Sequence, residues 1–205
     1  NQADFGGIHI LWPFQEYVTE IVDECSPLVE KAFCANMLVC SGGMISAFNT
    51  NGPAMMNALT KEKNYSVKDK KVLLIGAGAA ARTFAVMFAE AGAGDILMAN
   101  RTKERAVKNA ADLTEKLGRE IKGCGWDDAD LAAYMKDADL VINCTFIGSW
   151  QAQEELPLPD LLDNLHAGQL VVDVTVKPAE TPFLKKAATQ GADTMAGYLI
   201  LLHQG

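Results

Sequence analysis

The stretch Lys71-Val-Leu-Leu-Ile-Gly-Ala-Gly-Ala-Ala-Ala-Arg82, with a helical pattern running on to about Ala91, decides how this chain is read. Val72 to Ile75 is an unbroken apolar run, as expected of a strand covered on both faces. Gly76 and Gly78 let the backbone turn sharply and keep Cβ atoms away from a bound pyrophosphate. The small residues Ala79, Ala80 and Ala81 allow the next helix to pack close to the strand. Its first N–H groups and positive dipole end then face a phosphate. The pattern is G-x-G-x-x-A, which alone is a weak signal.

The residues that follow strengthen it. Asp95-Ile-Leu-Met-Ala99 reads as a second buried strand, roughly 20 residues beyond the glycine pair, where an acidic residue would hold the ribose 2′-hydroxyl of NAD. This chain has Asn100-Arg101-Thr102 there, then Lys103 and Arg105. A carboxylate would repel a 2′-phosphate, whereas Asn, Thr and cations bond to it and neutralise it. The cofactor expected is therefore NADP(H). The competing reading is a solvated helix start that Thr102 caps, with Arg105 incidental.

A chain of 205 residues suits one large domain or two small ones, and 49% hydrophobic with 21% charged residues describes an ordinary globular protein. Its net charge of −8 argues against a nucleic-acid partner. The five cysteines, at 25, 34, 40, 124 and 144, are scattered beside apolar runs. They match neither a disulfide framework nor a metal site, so reduced core thiols in the cytoplasm are expected. No apolar run reaches the length of a membrane span. With no initiator Met and a start in mid-domain, both ends are expected to be missing.

Read in order, Gly7 to Trp12 is a strand and Pro13 opens a helix to about Glu24. Ser26-Pro27 starts another helix. Cys34 to Cys40 and Met44 to Phe48 form a hairpin around Ser41-Gly-Gly43. Asn49-Thr-Asn-Gly-Pro53 caps a helix to Lys61, and a lysine-rich link follows to Lys70. From Lys71 strand and helix alternate: helix Thr102 to Leu117, strand Glu120 to Gly123, helix Asp127 to Met135, strand Asp139 to Thr145, helix Leu161 to Leu165 and strand Leu170 to Val174. Thr181-Pro182 then caps a helix to Gln190, and a last helix starts at Tyr198. This predicts an α/β protein: a Rossmann-type doubly wound parallel sheet over residues 67–205, plus a smaller N-terminal α/β domain over 1–66. By the family resemblance described next, the smaller domain is the substrate domain, and the last helix is free to return to it.

Several separated pieces together resemble one family. Trp12-Pro-Phe-Gln15, Cys34-Ala-Asn36, Asn49-Thr-Asn-Gly52, Gly76 to Ala81, Asn100-Arg-Thr102, Ile142-Asn-Cys-Thr145, Val172-Asp-Val174, Glu180-Thr-Pro182 and His203-Gln-Gly205 occur in the order found in shikimate dehydrogenase and its quinate/shikimate relatives. The resemblance implies a cleft between two domains, NADP(H) across the second, and reduction of 3-dehydroshikimate to shikimate. It implies substrate contacts from Asn36, Thr50 and Gln204. Cofactor contacts would come from Gly76 to Ala80, Asn100, Arg101, Thr102, Arg105, Thr145, Val174 and Gly197. The implied partner is a small cyclic polyol carboxylate, and a homodimer stays open.

The departures fall in the substrate half. Family members carry V-P-F-K and N-T-D-G where this chain has Gln15 and Asn51. By resemblance those are the positions of the Lys/Asp proton-transfer pair, and a positioned acid/base typically contributes about 10²–10⁴-fold. Neither amide titrates usefully. Both changes are charge to amide, so neither leaves a buried charge unpaired. The family's A-V-N-T is Cys34-Ala-Asn-Met37, and its D-x-x-Y tyrosine is Val176. His9 reads as a satisfied sheet histidine, Cys34 as an inert buried thiol and Asp173 as structural; Tyr198 lacks the neighbouring Lys an acid would need. Two functions stay in view: an NADP-dependent oxidoreductase with altered proton handling, and a non-catalytic NADP(H)-binding sensor. A methylenetetrahydrofolate-type dehydrogenase shares the two-domain plan but not Asn100-Arg-Thr102 with the His203-Gln-Gly205 ending.

Overall fold

The computed structural model describes residues 6–150, 152 and 155–204. Its first part runs β1 (Gly7–His9), a 3₁₀ turn (Tyr17–Glu20), β2 (Glu24–Cys25), α1 (Pro27–Ala32), β3 (Met37–Ser41), β4 (Met44–Phe48) and α2 (Asn51–Lys63). The second part runs β5 (Val72–Ile75), α3 (Ala79–Glu90), β6 (Ile96–Asn100), α4 (Lys103–Leu117), β7 (Lys122–Gly125), α5 (Leu131–Asp137) and β8 (Leu140–Asn143). A 3₁₀ stretch (Pro159–Asn164), β9 (Leu170–Asp173), α6 (Pro182–Thr189), β10 (Asp193–Ala196) and α7 (Gly197–Leu202) complete it.

The strands form two sheets. The larger is parallel throughout, in the order β7-β6-β5-β8-β9-β10. The order reverses between β5 and β8, and that switch point is where a doubly wound sheet opens a ligand crevice at its carboxyl edge. Every residue of β5, β8 and β9 is buried, as their apolar runs require. Apolar layers cover both faces, one built on Leu74, Phe84, Phe88 and Met98, the other on Leu73, Ile75, Met135 and Phe183. The smaller sheet, β1-β3-β4-β2, is mixed, with β2 parallel to β4 and the other pairs antiparallel.

The strand expected from Cys34 begins at Met37, the helix expected from Asp127 begins at Leu131, and the helix expected at Leu161 to Leu165 is a 3₁₀ stretch; four further expectations need correction. Residues 13–24 do not form a helix. They make turns and one 3₁₀ turn, because the chain must reach β2, where Asp23 N donates to Ile45 O at 2.9 Å and the Asp23 carboxylate accepts from Ile45 N at 2.7 Å. The first strand stops at His9, which is exposed on its sheet rather than satisfied within it. The link after α2 begins at Asn64, whose left-handed backbone (φ +48°) ends the helix two residues later than expected. β10 was not expected at all. It is a four-residue edge strand with one buried side chain, Met195, and pairing with β9 makes it a strand. Gly205, the end of one matching piece, lies outside the described residues.

Candidate active site

The glycine turn follows β5 directly. Gly76 N donates to Ala99 O at 2.7 Å, and the residue sits at φ +114°, a backbone region that favours glycine. A Cβ there would also meet Thr145 Cγ2 at 3.2 Å, so Thr145 closes over the turn from the β8 loop. Ala77 is buried, and its carbonyl accepts from Asn109 Nδ2 of α4 at 2.7 Å, which ties the turn to the far helix. Gly78 is the N-cap of α3 and no side chain caps the helix. The first N–H groups of a helix have no intrahelical acceptor, so those of Ala79 and Ala80 are directed outward. These features fit the pyrophosphate of a dinucleotide.

β6 ends in Asn100, whose Nδ2 donates to Thr102 O at 3.0 Å. Arg101, Thr102 and Arg105 are exposed, and the last residue of this strand is an amide, Asn100, rather than a carboxylate. Thr102 is the N-cap of α4: its carbonyl accepts from Arg105 N at 3.2 Å and Ala106 N at 3.4 Å, while its hydroxyl makes no cap bond. The geometry therefore does not need the Thr102 hydroxyl as a cap. Lys103 is paired with Asp128 at 2.6 Å, and Arg105 with Glu16 at 2.9 Å. Asn143 shapes the opposite wall: its Oδ1 accepts from Thr145 N and Thr145 Oγ1, and its Nδ2 donates to Ile147 O. Val174 follows β9, and a Cβ on Gly197 would lie 2.5 Å from the Val174 carbonyl, so only glycine lets α7 start so close to that strand end.

The substrate half contributes a knot of amides and one hydroxyl. Asn36 is fully buried; its Nδ2 donates to Thr50 Oγ1 at 2.8 Å and to Asn51 Oδ1 at 3.1 Å, and its Oδ1 accepts from Thr50 N at 2.7 Å. Gln204 Nε2, beyond α7, donates to the same Asn51 Oδ1. α7 packs on α2, and His203 Nε2 lies 2.8 Å from Glu62 Oε1 of α2, which draws this histidine away from the cluster. Four of the five proposed substrate-side residues, Asn36, Thr50, Asn51 and Gln204, thus meet through direct bonds. Gln15 is not bonded to them. Its Nε2 donates to Ile10 O at 3.0 Å, while Ile10 N donates to Asn36 O at 2.8 Å, so the Gln15 loop lies alongside the knot.

Two residues of this loop reach across to the nucleotide half. The Trp12 and Phe146 rings meet edge-on with centroids 5.0 Å apart. Glu16 reaches Arg105 and, at 3.7 Å, Arg82. Sequence reasoning missed Glu16, Asn49 and Asn109. Asn49 was read only as part of a capping run, yet its Oδ1 caps α2 while its Nδ2 donates to Cys34 O and Thr83 Oγ1. Two turns after Asn100, Asn109 falls on the apolar face of α4, and a buried polar residue there was the available signal. Burial pushes the Cys34 thiol up, in keeping with an inert side chain. Asp173 is fully buried; its carboxylate accepts from Thr175 N at 2.9 Å and Thr181 Oγ1 at 2.7 Å, which makes it a loop-holding group.

Residues 58–181 match the family described as shikimate / quinate 5-dehydrogenase. The chain is similar to the shikimate dehydrogenase (NADP(+)) of Methanopyrus kandleri, 34% identical over 205 residues, covering 99% of this chain and 70% of the relative. In structure it is similar to a shikimate dehydrogenase crystallised in complex with NADP+, with a TM-score of 0.87, 29% identity, and coverage of 98% of this chain and 68% of the other. It is also similar to a ligand-free 5-ketofructose reductase of Gluconobacter sp. strain CHM43, at 27% identity, a TM-score of 0.83 and coverage of 98% and 70%. The chain belongs to the shikimate / quinate 5-dehydrogenase family.

Proposed function

We propose that this protein is an NADP(H)-dependent oxidoreductase that interconverts a secondary hydroxyl and a ketone on a cyclic hydroxy acid of the shikimate type. The observation that carries this reading is the uncapped start of α3 at a glycine turn, with the Asn36–Thr50–Asn51–Gln204 knot on the other side of the cleft. The cofactor supplies or accepts the hydride. Gly76 to Ala80 hold its pyrophosphate, Asn100, Arg101, Thr102 and Arg105 its 2′-phosphate, and Thr145, Val174 and Gly197 line its remaining length. Asn36, Thr50, Asn51 and Gln204 bind and orient substrate oxygens. Gln15 and Asn51 stand where the family carries its Lys/Asp pair and move no proton, so the hydroxyl proton exchanges with solvent. Residues 1–66 form the substrate domain and 67–205 the nucleotide domain, with α7 returning to α2. All five cysteines are unpaired, which supports a reducing, cytoplasmic setting. Among the described residues no helix is long and apolar enough to cross a membrane.

The test is a titration of the full chain with NADPH and NADH, followed by NADP+ with shikimate, quinate and related diols at the NADPH absorbance band. Preferential NADPH binding with turnover of one of these supports the reading; better binding of NADH overturns it. A second reading, a non-catalytic NADP(H) sensor, is favoured by the paired loss of both titrating groups. Cofactor binding without turnover of any diol supports that alternative.

A further inference from the structure

Glu16, next in the chain to Gln15, is drawn toward the nucleotide half by two arginines. Its Oε1 lies 2.9 Å from Arg105 Nη2 and its Oε2 3.7 Å from Arg82 Nη2. The same Arg105 nitrogen lies over the phosphate turn. It lies 3.9 Å from where a Gly78 Cβ would stand. Arg82, in the first turn of α3, is 8% exposed; its Nη2 donates to Phe33 O at 2.7 Å, and among the described residues its Nε has no hydrogen-bond partner. A carboxylate of the chain itself therefore holds the guanidinium that faces the phosphate turn, and it belongs to the segment that carries Gln15.

We propose that Glu16 is an internal anion that occupies Arg105 until a phosphorylated dinucleotide displaces it, so that it sets NADPH affinity and positions the Gln15 segment in response to cofactor. The inference rests on the NADP(H) reading above. A phosphate carries more charge and more acceptor oxygens than a carboxylate and takes the guanidinium in a bidentate grip. Released from Arg105, Glu16 still has Arg82, a buried cation 3.7 Å away, and moves toward it. Since Gln15 O accepts from Ala35 N at 2.8 Å, the segment pivots on a fixed point rather than detaching. The displaced pair is half-exposed, so Glu16 tunes affinity and does not block the site: a surface pair of this kind corresponds to a factor of about 1.5 to 5.

Fluorescence titrations with NADPH, NADH and adenosine 2′,5′-bisphosphate test this on the natural chain, Glu16→Gln, Arg105→Gln and the double variant. Glu16→Gln is expected to tighten NADPH and the bisphosphate by about two- to fivefold and to leave NADH nearly unchanged. Arg105→Gln loosens NADPH, and in that background Glu16→Gln adds nothing, because the two residues act as one unit. A natural chain that prefers NADPH while Glu16→Gln leaves its affinity unchanged or weaker overturns the proposal and spares the cofactor reading. A natural chain that binds neither nucleotide overturns both. Should Glu16→Gln not fold for want of a partner for Arg82, Glu16→Asp keeps the charge and withdraws it from Arg105; no gain in NADPH affinity there overturns the proposal equally.

Discussion

Restoring the titrating pair, Gln15→Lys with Asn51→Asp, separates an enzyme with altered proton handling from a protein that no longer catalyses. Asn51 is the first residue of the 13-residue helix α2, and its Oδ1 already accepts from Asn36 Nδ2 and Gln204 Nε2. A carboxylate there keeps both donors on one oxygen and presents the second where the amide nitrogen was. The helix N-terminus favours that charge by about 0.3–1 kcal/mol, which offsets part of its desolvation. The net change in stability is then about 1 kcal/mol or less, a shift of roughly 2–4 °C in Tm for a chain of this size. On the chemical side, a matched acid/base gives about 10²–10⁴-fold, equivalent to roughly 3–5 kcal/mol of barrier. The assay is NADP+ reduction with shikimate under saturating cofactor. The double variant should gain at least about a hundredfold, and each single variant less than a tenth of that, since each places a charge without its partner. A natural protein already within tenfold of the double variant refutes the claim that the amides cost it the proton relay. A folded, NADPH-binding double variant with no gain refutes the placement of Gln15 and Asn51 at the reacting centre.

Three further outcomes follow from the geometry. Gly76→Ala forces an alanine to φ +114° and brings its Cβ to 3.2 Å from Thr145 Cγ2 and 3.3 Å from Cys144 O, so thermal melts should show a loss of about 2–3 kcal/mol together with weaker NADPH binding. Thr181→Val removes the hydroxyl that donates to Asp173 and accepts from Leu184 N at the start of α6, an expected loss of about 2–3 kcal/mol at neutral pH. Burial raises the Asp173 carboxyl above its ordinary value, so its favourable contribution is complete below the unfolded pKa and is lost as pH rises through the folded one. The Thr181→Val deficit should accordingly shrink toward about pH 4, as read by urea melts across pH, and a deficit that grows on acidification would contradict it. Finally, Ellman's reagent on the native protein at mildly alkaline pH should react first at the part-exposed Cys40. Cys25, Cys124 and Cys144 are part-exposed too, but burial pushes their thiols up (that of Cys124 to about 11), so they should lag, and the buried Cys34 should react only after unfolding.

The parallel sheet was legible because its strands are buried on both faces and carry the mark of it: Val72-Leu-Leu-Ile75, Leu140-Val-Ile-Asn143 and Leu170-Val-Val-Asp173 have no polar face to confuse the reading. Two segments were not legible, for opposite reasons. Phe14, Tyr17, Val18 and Ile21 imitate a helical stripe, yet Phe14, Tyr17 and Ile21 are exposed, and the backbone there answers to β2 pairing with Ser46 and Ala47 of β4. A pairing partner distant in sequence overrides a local periodicity. Asp193-Thr-Met-Ala196 has no pattern of its own, and its register with Leu170 to Asp173 is supplied wholly by its neighbour.

The candidate site divides along the same line. Residue types on the substrate side could be read from sequence, but not which end of each amide faces which partner. With Asn36 and Gln204 both donating to Asn51 Oδ1, the amide that replaces a carboxylate is left with its nitrogen as the group free to meet a ligand. A carboxylate oxygen at that point accepts from a substrate hydroxyl, whereas an amide nitrogen donates to a substrate oxygen. On the reading proposed above, the exchange at position 51 reverses the direction of a hydrogen bond as well as removing a charge. A ketone oxygen, which only accepts, meets that donor directly; an alcohol must turn its proton elsewhere. On the same reading, in which Gln15 stands at the family's Lys position, its Nε2 is held on Ile10 O and its remaining group is a carbonyl, so acceptor and donor would have traded places between positions 15 and 51.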